Sequence, residues 1–285
     1  MIRIGDYRID IINDAQIKIE AGGVFGLVPR ALWSRSYTFD EENRVEMHHN
    51  CLLVRGEGHT IVVDTGLGTR LDEKTSRRMA LERPKGDLVS GLRALGVEPE
   101  QVDLVINTHL HADHCGGNMR EHEETLLPTF PNAEYWVQRL EFADAMYPNE
   151  RSRGTYYPDN YAPLHRAGQL RLLDGDTLAL PGIRCLVTPG HTRAHQSVLF
   201  EADEQKLLYI ADLSTFAVHF ERLAWMTAYD VEPLVTLETK RKWQRWALEH
   251  KALILFEHDP LTVAARLVQV GDRVRLETEQ LQLEN

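Results

Sequence analysis

The stretch Thr108–Gly117 (THLHADHCGG) constrains the fold more than any other part of this 285-residue chain. His109, His111, Asp113 and His114, all able to ligate a metal, follow directly on the run VDLVIN. A short apolar run rich in β-branched residues reads as a buried strand. On an extended strand end, residues two apart share a face, so His109 and His111 point one way. His114 breaks the alternation and requires a turn, which Gly116 and Gly117 are expected to supply. The segment can then offer His109 and His111 to one point, and Asp113 and His114 to a neighbouring point. A two-metal site needs that arrangement, and it needs more donors than one segment holds.

Other strand ends supply candidates. His191 follows the strand-like run Ile183–Val187 and a Pro-Gly turn, Asp212 follows LLYIA, and His258 follows ALILFE. The rest of the chain alternates short strand-like runs with helical ones. Opening strands are expected at Ile2–Ile4, Tyr7–Ile12 and Ile17–Ile19, with Asn13-Asp14 as punctuation. A loop rich in glycine and aromatics spans Gly22–Phe39. The runs NCLLVR and TIVVD flank GEGH as a hairpin. Asp87 can cap a helix that runs to Leu95, where Gly96 stops it. Asn149–Ala167 reads as a long ordered loop or lid. Val235–His250 reads as a helix. No internal repeat or low-complexity linker interrupts the pattern.

Together, His109-x-His111-x-Asp113-His114, His191, Asp212 and His258 resemble the metal-binding set of the metallo-β-lactamase superfamily. Asp64-Thr65-Gly66 and Pro189-Gly190-His191-Thr192 are similar to two further motifs of that family. The resemblance runs in order through nearly the whole chain. It implies an α/β fold, an αββα sandwich of two mixed β-sheets with helices on the outer faces, forming a single domain over residues 1–285. It also implies two divalent metal ions per chain. His109, His111 and His191 would hold the first, Asp113, His114 and His258 the second, and Asp212 would bridge them. Zinc is the expected ion, with iron or manganese as alternatives, because imidazole and carboxylate accept all three. A hydroxide shared between the ions would be the nucleophile, since metal binding lowers the pKa of water to about 7. Asp64 and His195 read as hydrogen-bonding support behind the ligands. Cys115 reads as a packed thiol. Lys240, Arg241, Lys242 and Arg245 read as a solvated helix face beside the packed Trp243 and Trp246.

Within this superfamily the loop Gly22–Trp33 and the ending Phe256–Pro260 resemble the N-acyl-homoserine-lactone lactonase branch. That resemblance implies attack on a lactone carbonyl, with Asp113 passing a proton to the leaving alkoxide. Phe25, Leu27 and Trp33, with Tyr156, Tyr157 and Tyr161 of the lid, are candidate acyl-chain contacts. Thr215 occupies a position where many such lactonases carry a tyrosine near the substrate carbonyl. A thioesterase similar to glyoxalase II, or a phosphodiester hydrolase, could use the same metal set. Glyoxalase II enzymes carry an added helical region, for which the 27 residues after His258 leave little room.

Composition narrows the partners. The net charge of −11 gives no electrostatic footprint for nucleic acid, so a small-molecule substrate is expected. Charges interrupt the first residues (MIRIGDYRIDIIND), and no long apolar run follows, so neither a signal peptide nor a membrane span is expected. Three widely spaced cysteines fit a reducing compartment, hence a cytoplasmic location. A homodimer is compatible with the sequence.

Overall fold

The computed structural model describes residues 1–280. Its strands form two seven-stranded sheets and one short hairpin. The first sheet runs in the order Ile2–Ile4, Tyr7–Glu20, Arg44–Gly56, His59–Val63, Leu104–Ile106, Glu134–Gln138 and Leu170–Leu173. Its last four strands pair in parallel, whereas Arg44–Gly56 and His59–Val63 are antiparallel. The second sheet runs Thr177–Leu180, Ile183–Val187, Gln196–Ala202, Gln205–Tyr209, Leu253–Leu255, Ala264–Val270 and Arg273–Thr278. Gln205–Tyr209 pairs in parallel with Leu253–Leu255, whereas the pairings from Ile183–Val187 to Gln205–Tyr209 and from Leu253–Leu255 to Arg273–Thr278 are antiparallel. Both sheets are therefore mixed. No described helix is long and apolar enough to cross a membrane.

The chain divides into two compact units. Among the described residues, Met1–Ala15 and His49–Thr177 make the first, and Gln16–His48 with Leu178 to Gln280 makes the second. In the first unit, Cys51, Leu53, Val62, Val105, Tyr135 and Val137 pack against Leu88 and Leu92 of a helix. That helix, Leu88–Ala94, is capped by Asp87, whose carboxylate accepts from Ser90 N at 2.8 Å. In the second unit, Leu199, Leu208 and Ile254 of the sheet pack against Trp243 and Ala247 of the helix Pro233–His250. Burying such apolar surface contributes roughly 25 cal/mol per Å² and is what holds each sheet to its helices.

Several elements differ from the sequence expectation. Tyr7–Glu20 is one continuous strand, because Asp14 is not a turn residue. Its buried carboxylate accepts from the backbone of Gly68 at 3.3 Å and Leu88 at 2.9 Å. The Gly22–Phe39 stretch contains two short helices, Ala21–Phe25 and Arg30–Trp33. Lys240 is fully buried rather than on a solvated face. All three cysteines are buried and unpaired by disulfides.

Candidate metal centre

In the first unit, the strand Leu104–Ile106 ends just before Asn107, and the chain turns through a helix at Ala112–Cys115. The turn therefore begins before the glycines. Gly116 and Gly117 serve close packing: a Cβ on Gly116 would lie 2.3 Å from Leu67 O, and one on Gly117 2.3 Å from Thr65 O. The loop brings the imidazoles together, with ring centroids 4.5 Å apart for His109 and His111 and 4.0 Å for His109 and His114. Asp113 is partly exposed, with Oδ2 3.9 Å from His114 Nε2 and 3.7 Å from Nε2 of His49.

Buried partners fix these rings. Asp64, at φ 54°, accepts from Thr108 N at 2.7 Å and Thr108 Oγ1 at 2.6 Å. His114 Nδ1 donates to Asp64 Oδ2 at 3.1 Å. The Thr108 hydroxyl proton is committed to Asp64, so its oxygen accepts from His109 Nδ1 at 3.2 Å. Glu141 accepts from Leu110 N and from Tyr156 OH, each at 3.0 Å, and the Tyr156 ring lies 4.9 Å from that of His111. Tyr161 OH donates to Ala145 O at 2.8 Å, whereas Tyr157 is exposed. Burial pushes the Cys115 thiol well above its ordinary range, and its Sγ donates to Leu110 O at 3.3 Å.

In the second unit, Asp212 divides its two oxygens between two histidines. Oδ2 lies 3.0 Å from His191 Nε2 and Oδ1 lies 3.5 Å from His258 Nε2. His191 Nδ1 donates to Asp230 Oδ1 at 2.9 Å, and Thr227 Oγ1 donates to the same oxygen at 3.0 Å. Burial alone would lower the His191 pKa. The carboxylates of Asp212 and Asp230, one on each ring nitrogen, outweigh it and raise the value to about 10. His258 Nδ1 donates to His48 O at 2.6 Å. The next residue, Asp259, accepts from Tyr37 OH, Ala217 N, Leu261 N and Thr262 N at 2.8–2.9 Å.

His195 holds Asp212 from behind. Asp212 N donates to His195 Nε2 at 3.2 Å, so the ring proton is on Nδ1, which donates to Thr188 Oγ1 at 2.8 Å. Thr188 Oγ1 passes a hydrogen bond to Ser197 Oγ at 2.9 Å, and Ser197 Oγ donates to Ile210 O at 3.2 Å. Phe25 and Trp33 are buried and stacked at 4.8 Å, Thr215 is buried, and Leu27 is fully exposed.

The donor set suits a divalent metal. His109, His114, His191 and His258 each donate through Nδ1 to an acceptor of the fold, which leaves Nε2 as the candidate ligand atom. Ligating histidines are characteristically oriented in this way. Between Asp212 and Asp230, moreover, the surroundings of His191 favour positive charge. Among the described residues, His109, His111, Asp113, His114, His191, Asp212 and His258 all belong to His and Asp groups that could hold an ion. His49, Glu141, Asp230 and Asp259 also serve these sets without any local motif. Glu141 is 15 residues from Tyr156, Asp230 is 39 from His191 and Asp259 is 222 from Tyr37, so spacing could not reveal these links.

The chain belongs to the metallo-β-lactamase superfamily, whose family pattern matches residues 44–264. It lies on the lactonase-like branch of that family's metal-dependent hydrolases. An N-acyl homoserine lactonase of a Bacillus species is 29% identical over 223 residues, covering 73% of this chain and 80% of that one. The N-acyl homoserine lactonase AiiA of Bacillus thuringiensis subsp. kurstaki is 28% identical over the same length and coverage. A probable metal-dependent hydrolase from Staphylococcus aureus superposes with a TM-score of 0.88 at 26% identity, covering 98% of this chain and 99% of that one. AidC, a dizinc quorum-quenching lactonase, shares the fold with a TM-score of 0.81 at 18% identity, covering 99% and 97%.

Proposed function

We propose that the protein is a dinuclear metal-dependent lactonase that opens N-acyl homoserine lactones. The observation that carries this reading is Asp212, whose two oxygens each face the Nε2 of a different histidine. A carboxylate so divided is suited to bridge two ions. In this reading the two units act as one functional domain, with His109, His111 and His191 holding one ion. Asp113, His114 and His258 hold the other. The curated relatives, themselves lactonases, support the substrate class.

Bound metals would supply water activation at neutral pH and would stabilise charge developing on the carbonyl oxygen. The chain's own residues do the rest. Asp64, Asp230 and the His48 carbonyl hold the ring orientations through Nδ1. His195 fixes the backbone of Asp212. As water oxygen adds to the lactone carbonyl carbon, its proton passes to Asp113 Oδ2. The bond from that carbon to the ring oxygen then breaks, and Asp113 returns the proton to the leaving alkoxide. The product is an open-chain hydroxy acid, and its carboxyl proton is released to solvent. Asp113 is suited to this exchange because it is the most accessible member of its set, with a side chain 28% exposed.

The test is proton release on ring opening of short- and long-chain N-acyl homoserine lactones, with the protein loaded separately with zinc, manganese and iron. Turnover that a chelator abolishes is expected. Absence of turnover with both ions bound would remove the lactone substrate and direct the search to thioesters and phosphodiesters.

A further inference from the structure

The segment after Asp212 carries two buried polar atoms that the mechanism above does not use. Thr215 Oγ1 and His219 Nε2 have no hydrogen-bond partner, and the residues are only 5% and 1% exposed. Neighbours fix the state of His219. The Phe216 N–H donates to its Nδ1 at 3.4 Å, so the ring proton sits on Nε2. Burial, helped by the Lys240 ammonium, pushes its pKa down to about 3 against the pull of Asp212. Lys240 also pins the segment, with Nζ donating to His219 O at 3.1 Å and Trp225 O at 2.5 Å. His219 Nε2 is thus a permanent donor that carries no exchangeable charge at neutral pH. An orphaned buried donor is costly, and such groups call for an explanation, often a functional one.

The surroundings indicate what acceptor would fit. Phe216 stacks on the imidazole at 5.9 Å, Phe25 meets it edge-on at 5.7 Å, and Trp225 meets Phe25 at 6.3 Å. A lone donor among aromatic rings suits an oxygen that begins an apolar tail. We infer that His219 Nε2–H, with Thr215 Oγ1 four residues earlier, binds the carbonyl oxygen that joins the lactone ring to its acyl chain. This assignment rests on the lactonase reading above and makes His219 a determinant of substrate choice. A site built to hydrogen-bond a substrate group discriminates strongly against an analogue that lacks it.

The experiment compares N-hexanoyl homoserine lactone with γ-butyrolactone, which has the same ring and no side chain. Metal-loaded wild type, H219F and H219Q are assayed on both. The ratio of kcat/KM for the acylated over the plain lactone is expected to fall about tenfold or more in H219F. H219Q keeps an N–H donor and should recover most of that ratio. An unchanged ratio in H219F, or an H219Q that behaves as H219F, overturns the inference. Should H219F fail to fold, T215V is read by the same ratio, and no change there overturns it equally. A wild type that opens neither lactone refutes the lactonase reading and this inference with it. A wild type that opens both, with variants of unchanged ratio, refutes the inference alone.

Discussion

Replacing Gly116 with alanine sets two physical effects against each other, and the sign of the outcome decides between them. Gly116 opens a short 3₁₀ turn with helical backbone angles, φ −59° and ψ −37°. Helix propensity alone would make Ala better than Gly by about 0.8–1.0 kcal/mol. The packing predicts the reverse. The new Cβ would lie 2.3 Å from Leu67 O, 2.6 Å from Leu67 C and 2.9 Å from Gly66 O, all backbone atoms that cannot rotate aside. Restoring ordinary contact requires the loops to part by roughly 1 Å, and overpacking of this kind costs about 1–3 kcal/mol. For a chain of this size each kcal/mol lowers Tm by about 2–4 °C, so G116A should lose about 2–12 °C in a thermal melt. G154A is the control: no atom lies within 4 Å of its Cβ position, and its Tm should stay within about 2 °C of wild type. His114 sits two residues from the displaced backbone, so apparent metal affinity should fall with Tm in G116A. A G116A protein as stable as wild type, or more so, would show that the stacked loops are not the constraint argued here.

Other expectations follow from the same geometry. D230N removes the charged acceptor of His191 Nδ1 and should weaken zinc binding about 10–100-fold in competition with a chromophoric chelator. An affinity within twofold of wild type would leave Asp230 without an orienting role. His219 should also contribute acid sensitivity. Its folded pKa of about 3 lies below the ordinary 6.5, so the unfolded chain binds more protons between these values. This contribution is complete above about pH 6.5 and is lost as pH falls toward 3. Urea unfolding at pH 7 and pH 4.5 should therefore show a drop about 2 kcal/mol smaller in H219F than in wild type. Equal drops would mean that the ring is not held neutral.

Much of this was legible in the sequence because strands buried on both faces leave continuous apolar runs. VDLVIN, IRCLV, LLYIA and ALILFE each mark a strand whose end places His109, His191, Asp212 or His258. The last two strands, Ala264–Val270 and Arg273–Thr278, gave no such signal. They lie at a sheet edge, and the outer one carries Arg273, Arg275 and Glu277 on a largely exposed surface. Asn13-Asp14 looked like a turn because Asp usually serves local backbone. Here its acceptors serve Gly68 and Leu88, which are 54 and 74 residues away. Lys240 looked solvated for a related reason. Its partners are backbone carbonyls at 219 and 225, which no charge pattern announces. The structure assigns long-range roles of this kind to Glu141, Asp230 and Asp259 as well.

The hydrogen bonds behind Asp212 form a closed circuit. They leave the backbone at Asp212 N, pass through His195, Thr188 and Ser197, and return at Ile210 O. The residue spanned by the circuit, Ala211, has a φ of 45°, a conformation that costs a non-glycine residue about 1–3 kcal/mol. Proton direction is conserved around the loop, since each of its three side chains donates one bond and accepts one. Exchanging a single member for a group without both capacities reverses or breaks the circuit everywhere at once. For anyone redesigning this protein, His195, Thr188 and Ser197 behave as one unit of substitution: they change together or not at all.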